Sequence, residues 1–234
     1  MISVCIPTYN GEKYIKQQLD SILYQLEDGD EVVISDDSST DSTIDIIESI
    51  GDRRIKILKN NKFSSPIFNL ENTLKHAKGD LIFLSDQDDI WLSERIESTM
   101  QHFDKYDMVV TDCILVNDNL ESIEDSFFST RGSRKGLIKN LISNSYLGCC
   151  MAFKRDVLNK AIPFPKDIPM HDIWLGFVAE LFYKPYFLKK RLVLYRKHDN
   201  NVSPTAALRS PYPIKKKFFL RWNIIKYLPK VFWR

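Results

Sequence analysis

Leu81-Ile82-Phe83-Leu84-Ser85-Asp86-Gln87-Asp88-Asp89 runs from an apolar stretch straight into three carboxylates in four positions. The apolar part is short and continuous, as expected of a strand buried on both faces. Carboxylates this close raise one another's pKa unless positive charge sits among them. A divalent cation is the simplest such partner. Mg²⁺ and Mn²⁺ take a few oxygen ligands and complete their shells with substrate phosphates and water. The carboxyl ends of strands are also where open α/β sheets bind ligands. The competing reading makes these aspartates the cap of a helix beginning near Trp91.

Working outward, the same pattern recurs. Ile2 to Ile6 and Glu31 to Ser35 read as strands ending in Pro7-Thr8-Tyr9-Asn10-Gly11 and Asp36-Asp37. Apolar residues at helical spacing (Ile15, Leu19, Ile22, Leu23, Leu26) predict a helix within 11–26. Thr40-Asp41-Ser42-Thr43 opens a second helix through Ile50, and Pro66 to Ala77 a third, with a strand at 54–58 between them. Strands alternating with helices predict a mainly parallel α/β sheet with right-handed crossovers. Three polar strand ends would then share one edge. Taken singly, each is also an ordinary turn or helix cap. Together they favour a site. Neither the dinucleotide Gly-x-Gly-x-x-Gly nor the Gly-x-x-x-x-Gly-Lys-Ser/Thr phosphate loop is present.

The second half is less regular. Strands are expected at 108–111, 146–153 and 192–195, and a helix at 173–182, after the proline-rich stretch 163–169. The 234 residues fit one large domain plus an appendage. The organisation expected is a domain over 1–205, divided into a nucleotide-binding half (1–105) and an acceptor half (106–205), followed by a tail over 206–234. The four cysteines have no metal-finger spacing, which predicts reduced buried thiols. No basic leader precedes the first strand, and no apolar run reaches the length of a membrane span. The expectation is a cytoplasmic protein, peripheral at the inner face of the cell membrane.

Charge is distributed unevenly. The formal +2 hides eight basic and no acidic residues from Asn200 onward, leaving 25 basic against 31 acidic in 1–199, a balance of −6. Basic residues alternate with aromatics in the tail (Lys215, Lys216, Lys217, Phe218, Phe219, Arg221, Trp222). That composition suits an anionic membrane surface. A helix packed on the domain with a solvated basic face is the competing reading. No nucleic-acid motif accompanies the charge, so no nucleic-acid partner is expected.

Val4 to Gly11, Ile34 to Asp41 and Phe83 to Trp91, in that order, resemble the family-2 inverting glycosyltransferases of the GT-A fold. His171-Asp172-Ile173-Trp174-Leu175 and Tyr195 to Ser203 resemble the bacterial branch that includes rhamnosyltransferases of surface polysaccharide assembly. The resemblance implies that Thr8, Tyr9 and Asn10 contact the base and ribose of a nucleotide and that Asp37 hydrogen-bonds the base. Asp86 would face the ribose or the metal, and Asp88 would bind a Mn²⁺ or Mg²⁺ ion bridging the diphosphate. His198 would add a metal or phosphate contact, and Asp172 would act as general base. It further implies a nucleotide-diphosphate sugar donor, with dTDP-rhamnose first and a UDP-hexose second, and a glycan or lipid-linked saccharide acceptor. Two other readings use the same carboxylates: a catalytically silent sugar-nucleotide-binding or assembly subunit, and a nucleotidyltransferase. The latter usually has a Gly-rich basic loop after the first strand, where this chain has Thr8-Tyr9-Asn10-Gly11-Glu12-Lys13. Trp91 and Trp174 are candidates for a sugar pocket, with core packing as the alternative.

Overall fold

The computed structural model describes residues 1–198 and 213–232. Among these, nine strands form one sheet. Four parallel strands make one side: β1 (Ile2–Thr8), β2 (Glu31–Asp36), β3 (Ile55–Leu58) and β4 (Leu81–Leu84), in the order β3-β2-β1-β4. β1, β2 and β4 are almost wholly buried, as their continuous apolar runs predict. The register sets Thr8 opposite Asp36 and Cys5 opposite Leu84, so the three polar strand ends do emerge along one edge. The connecting helices are α1 (Ile15–Leu23), α2 (Thr43–Ile50) and α3 (Pro66–His76). α3 starts on Pro66, whose fixed φ suits a first helical position. α2 ends on Gly51 at φ 65°, a left-handed conformation costly for other residues.

The sheet continues through mixed pairing. β5 (Ile90–Trp91) is followed by α4 (Arg95–Met100), β6 (Met108–Val116), β7 (Ser122–Glu124), α5 (Phe127–Arg131) and α6 (Leu137–Ile142). Then come β8 (Met151–Lys154), α7 (Arg155–Ala161), α8 (His171–Phe182) and β9 (Pro185–Arg196). β8 lies antiparallel between β4 and β6, β9 is parallel to β6, and β5 closes the far side antiparallel to β9. The fold is therefore the expected α/β class, a curled and mostly parallel sheet flanked by helices.

Several sequence expectations need correction. Ile90-Trp91 is a strand rather than the start of a helix, and α4 begins only at Arg95, so the acidic cluster caps nothing there. Residues 146–150 are not strand. The Asn144 side chain accepts from Tyr146 N at 3.0 Å and donates to Tyr146 O at 2.7 Å, which engages both backbone groups that strand pairing would use. A single 3₁₀ turn (Gly148–Cys150) follows, and only Met151 onward pairs. A Cβ at position 148 would sit 2.8 Å from His171 Nε2, so this turn passes close to the start of α8. Conversely, β6 and β9 are longer than predicted, because exposed Lys189, Lys190 and Arg191 interrupt the apolar pattern of β9.

Trp91 and Trp174 are both core residues. Trp91 Nε1 donates to Ser85 Oγ at 3.1 Å and Trp174 Nε1 to Ala161 O at 2.9 Å. All four cysteines are buried free thiols. The C-terminal residues 213–232 form α9 (Ile214–Ile225) and α10 (Leu228–Val231), which rest on the domain through buried Asn223, Ile224 and Val231. Residues 199–212, 233 and 234 lie outside the described residues, including the motif after His198 and the first part of the predicted tail. No helix among the described residues is long and apolar enough to cross a membrane.

Candidate active site

The site begins at the β1 end. Thr8 is buried, and its hydroxyl donates to Asp36 Oδ1 at 3.1 Å, which ties the ends of β1 and β2 together. Asp36 itself accepts from Ser39 N at 2.9 Å and lies inside the turn. Tyr9 is 56% exposed and reaches outward from the edge. Asn10 takes φ 48°, a conformation asparagine tolerates better than most residues. Its side-chain oxygen accepts from Thr40 N at 2.8 Å, so it braces the neighbouring loop. Asp37 accepts from Phe63 N at 2.6 Å and Ser65 N at 3.4 Å, holding the loop before α3 against the same edge. Thus Thr8, Asn10 and Asp37 are held by the protein itself, while Tyr9 presents free surface.

Gln87 has a role that sequence reading missed. Tyr9 N donates to its Oε1 at 2.9 Å, and its Nε2 donates to Tyr9 O at 3.0 Å. This paired contact locks the β1 turn to the β4 turn. It also explains Gly11, where a Cβ would meet Gln87 Oε1 at 2.5 Å.

The carboxylates come next. Asp86 lies among acidic groups; burial, then the charges of Asp88 and Asp172, push its pKa up to about 7. Asp88 meets His198, with Nε2 2.8 Å from Oδ2. The His198 ring stacks on Tyr14 at 5.1 Å, and Tyr14 OH donates to Asp118 at 2.7 Å. Asp89 accepts from Arg196 N at 3.0 Å, but its buried Oδ2 has no hydrogen-bond partner. Burial, then Asp88 and Asp86, hold the Asp89 pKa well above the ordinary range.

A buried positive charge that sequence spacing did not suggest lies beside the cluster. Arg95, enclosed against the Trp91 ring at 4.3 Å, interacts with Asp86 and Asp89 and lowers the cost of their charge. Arg196, also buried, donates from Nε to Asp88 O at 2.9 Å.

These residues fit a hard dication. Oxygens of Asp86 and Asp89 and the sulfur of Cys149 lie within 4.8 Å of one another. A hard dication prefers the carboxylate oxygens to the Cys149 sulfur. Asp89 Oδ2, buried beside the Cys149 thiol without a hydrogen bond of ordinary geometry, is an oxygen that a cation would satisfy. The geometry brings the expected pair Asp88 and His198 together, and it adds Asp89, the third carboxylate of the same motif, to which the resemblance gave no role.

Asp172 approaches from the second half of the chain. It is 3% exposed in the first turn of α8, and its Oδ1 accepts from Ile173 N at 2.6 Å. It is not the cap residue of that helix, which is Met170. Burial pushes its pKa up to about 7, against hydrogen bonds from Ile173 and the Asn144 side chain. It is close enough for its charge to raise the pKa of Asp86. Neighbouring His171 is buried with its pKa pushed down to about 4, and its Nδ1 has no partner, so it is a neutral wall of the site. A cleft edge with an acidic cluster on one side and a carboxyl poised near neutrality on the other suits phosphate-leaving group transfer.

Comparison with known proteins agrees. Residues 3–162 match the model for "Glycosyl transferase family 2", and the chain belongs to that family. It is a glycosyltransferase of the GT-A fold. It is 32% identical over 231 residues to the dTDP-rhamnosyl transferase RfbG of Shigella flexneri, covering 88% of this chain and 76% of that protein. A second relative is WfgD of Escherichia coli, a UDP-Glc:alpha-D-GlcNAc-diphosphoundecaprenol beta-1,3-glucosyltransferase. It is 29% identical over 185 residues, covering 77% of this chain and 70% of the relative. Among solved structures, TarS residues 1–349 of S. aureus in complex with UDP-GlcNAc superposes with TM-score 0.70 at 22% identity, covering 96% of this chain and 71% of that one. The mannosyltransferase PcManGT of Pyrobaculum calidifontis, in complex with GDP-Man and Mn²⁺, superposes with TM-score 0.63 at 19% identity, covering 98% and 71%.

Proposed function

We propose that the chain is a metal-dependent inverting transferase that moves a sugar from a nucleotide diphosphate to a glycan or lipid-linked saccharide during surface polysaccharide synthesis. The observation that carries this reading is the buried carboxyl of Asp172, with its pKa near 7, facing the Asp86 cluster. A general base works best with its pKa near the working pH. Similarity to RfbG favours dTDP-rhamnose as donor, with a UDP-hexose second on the strength of WfgD. The action of WfgD on a diphosphoundecaprenol-linked sugar also supports an acceptor of that kind.

In this scheme Tyr9, with Thr8, Asn10 and Asp37 behind it, frames the base and ribose. Asp86 and Asp88 face the ribose and diphosphate, and His198 supports Asp88. Asp86, Asp88 and Asp89, with His198, would hold Mn²⁺ or Mg²⁺, which when bound supplies charge neutralisation for the departing diphosphate. The acceptor hydroxyl attacks the anomeric carbon as the bond to the diphosphate oxygen breaks, and its proton passes to Asp172. One displacement inverts the anomeric centre. The test is binding and turnover of a panel of nucleotide sugars with Mn²⁺, Mg²⁺ or EDTA. Cation-dependent turnover of one donor, lost in Asp88→Ala, is expected. No binding of any donor to folded protein would overturn the reading and favour a silent assembly subunit.

A further inference from the structure

Two basic, apolar segments far apart in sequence meet on one surface. Residues 131–142 contain Arg131, Arg134, Lys135 and Lys139, and residues 213–232 contain six further Lys and Arg; neither segment has an Asp or Glu. The Arg221 guanidinium joins them by donating to the carbonyls of Leu141 and Ile142 at the end of α6. Around this junction large apolar side chains stand in solvent. Ile138 and Ile142, one turn apart on α6, are 77% and 73% exposed; Phe219 and Trp222, on α9, are 62% and 61% exposed. Such residues normally seek cover, and a group of them in two basic segments marks an interaction surface.

The acidic groups nearby are already engaged. Glu180 accepts from Gly136 N, Asn140 and Tyr146 OH, and Asp167 pairs with Lys226 at 2.9 Å. Burial, then the charges of Arg134 and Arg131, lower the pKa of Lys139. The surface also adjoins the chemistry. α6 ends two residues before Asn144, whose side chain hydrogen-bonds Asp172.

We infer that α6 and α9 together form a docking face for an anionic phospholipid bilayer, with Ile138, Ile142, Phe219 and Trp222 entering the headgroup boundary. Exposed apolar side chains beside basic residues are complementary to that surface. The inference deepens the lipid-linked acceptor reading, because it brings the Asp172 side of the cleft to the membrane from which such an acceptor would arrive.

The test uses the full chain with phosphatidylglycerol/phosphatidylcholine vesicles and with pure phosphatidylcholine vesicles. Wild type should co-sediment with the anionic vesicles, weaken with salt, and bind the neutral ones poorly. Ile138→Glu/Ile142→Glu and Phe219→Glu/Trp222→Glu should each lower the partition coefficient by about tenfold or more. Both pairs are exposed, and unchanged circular dichroism would confirm folding. If the α6 pair leaves binding unchanged, the composite face is wrong. Absence of wild-type binding to anionic vesicles, or a stable dimer that either pair dissociates, would overturn bilayer docking. Hydrolysis of a water-soluble donor, measured in parallel, should be unaffected by either pair. Its loss in wild type would refute the transferase reading separately.

Discussion

Asp172→Asn should inactivate the protein and stabilise it at the same time. Burial raises the Asp172 pKa from the model-compound value of 3.8 to about 7, so the folded state disfavours its ionised form. About three pKa units correspond to roughly 4 kcal/mol between the two protonation states. The sign follows from proton binding. Between about pH 4 and 7 the folded state holds the proton more tightly than the unfolded chain, so stability falls as pH rises and the loss is complete above about pH 7. Asparagine keeps the acceptor for Ile173 N but carries no charge. At pH 8 the variant should therefore gain about 2–4 kcal/mol; each kcal/mol shifts Tm by about 2–4 °C in a chain of this size. At pH 4 the gain should nearly vanish. Turnover should fall by about 10²–10⁴-fold, the usual worth of a general base. In wild type, turnover should rise with pH through an apparent pKa near 7, because only the ionised carboxylate accepts the proton. Thermal denaturation at pH 4 and pH 8, beside donor turnover, reads both effects. A variant destabilised at pH 8, or a Tm difference independent of pH, would refute the reasoning.

Other outcomes follow from the same geometry. Gln87→Ala should raise donor KM by severalfold with little change in thermal stability, because it releases the Tyr9 backbone; steady-state kinetics check this. Gly11→Ala should cost about 1–3 kcal/mol by overpacking. Adding Gln87→Ala should recover part of that cost, so a double-mutant cycle that is strictly additive would contradict the contact. Gly176→Ala would place a Cβ 2.3 Å from the Tyr146 ring, itself fixed by Glu180 at 2.8 Å, and denaturant unfolding should show a loss of about 3 kcal/mol or more. Titration with Mn²⁺ should show weakened binding in Asp88→Asn and also in Asp89→Asn, whose buried oxygen lacks a partner.

What the sequence revealed and concealed has a physical division. β1, β2 and β4 are continuous apolar runs ending in polar residues, so both the strands and their shared edge could be read locally. Asp86 and Asp88 stood out for the same reason, as carboxylates next to an apolar run, whereas Asp172 was marked only by the resemblance of its motif. The groups that hold the site together act across long sequence separations. Gln87 meets Tyr9 78 residues away, and Arg196 meets Asp89 107 residues away. Arg95 shares the Cys149 carbonyl 54 residues away. No local spacing encodes these contacts. Residues 146–150 misled because their apolar character reflects burial beneath α8 rather than sheet pairing, and β9 was cut short by the cations on its exposed edge.

The most direct test of the central claim pairs donor binding with turnover in wild type and Asp172→Asn, using dTDP-rhamnose, UDP-glucose and Mn²⁺. The account predicts that one donor binds both proteins with similar affinity and is transferred, with inversion, by wild type alone. Equal transfer by both proteins would show that Asp172 is not the base and contradict the account.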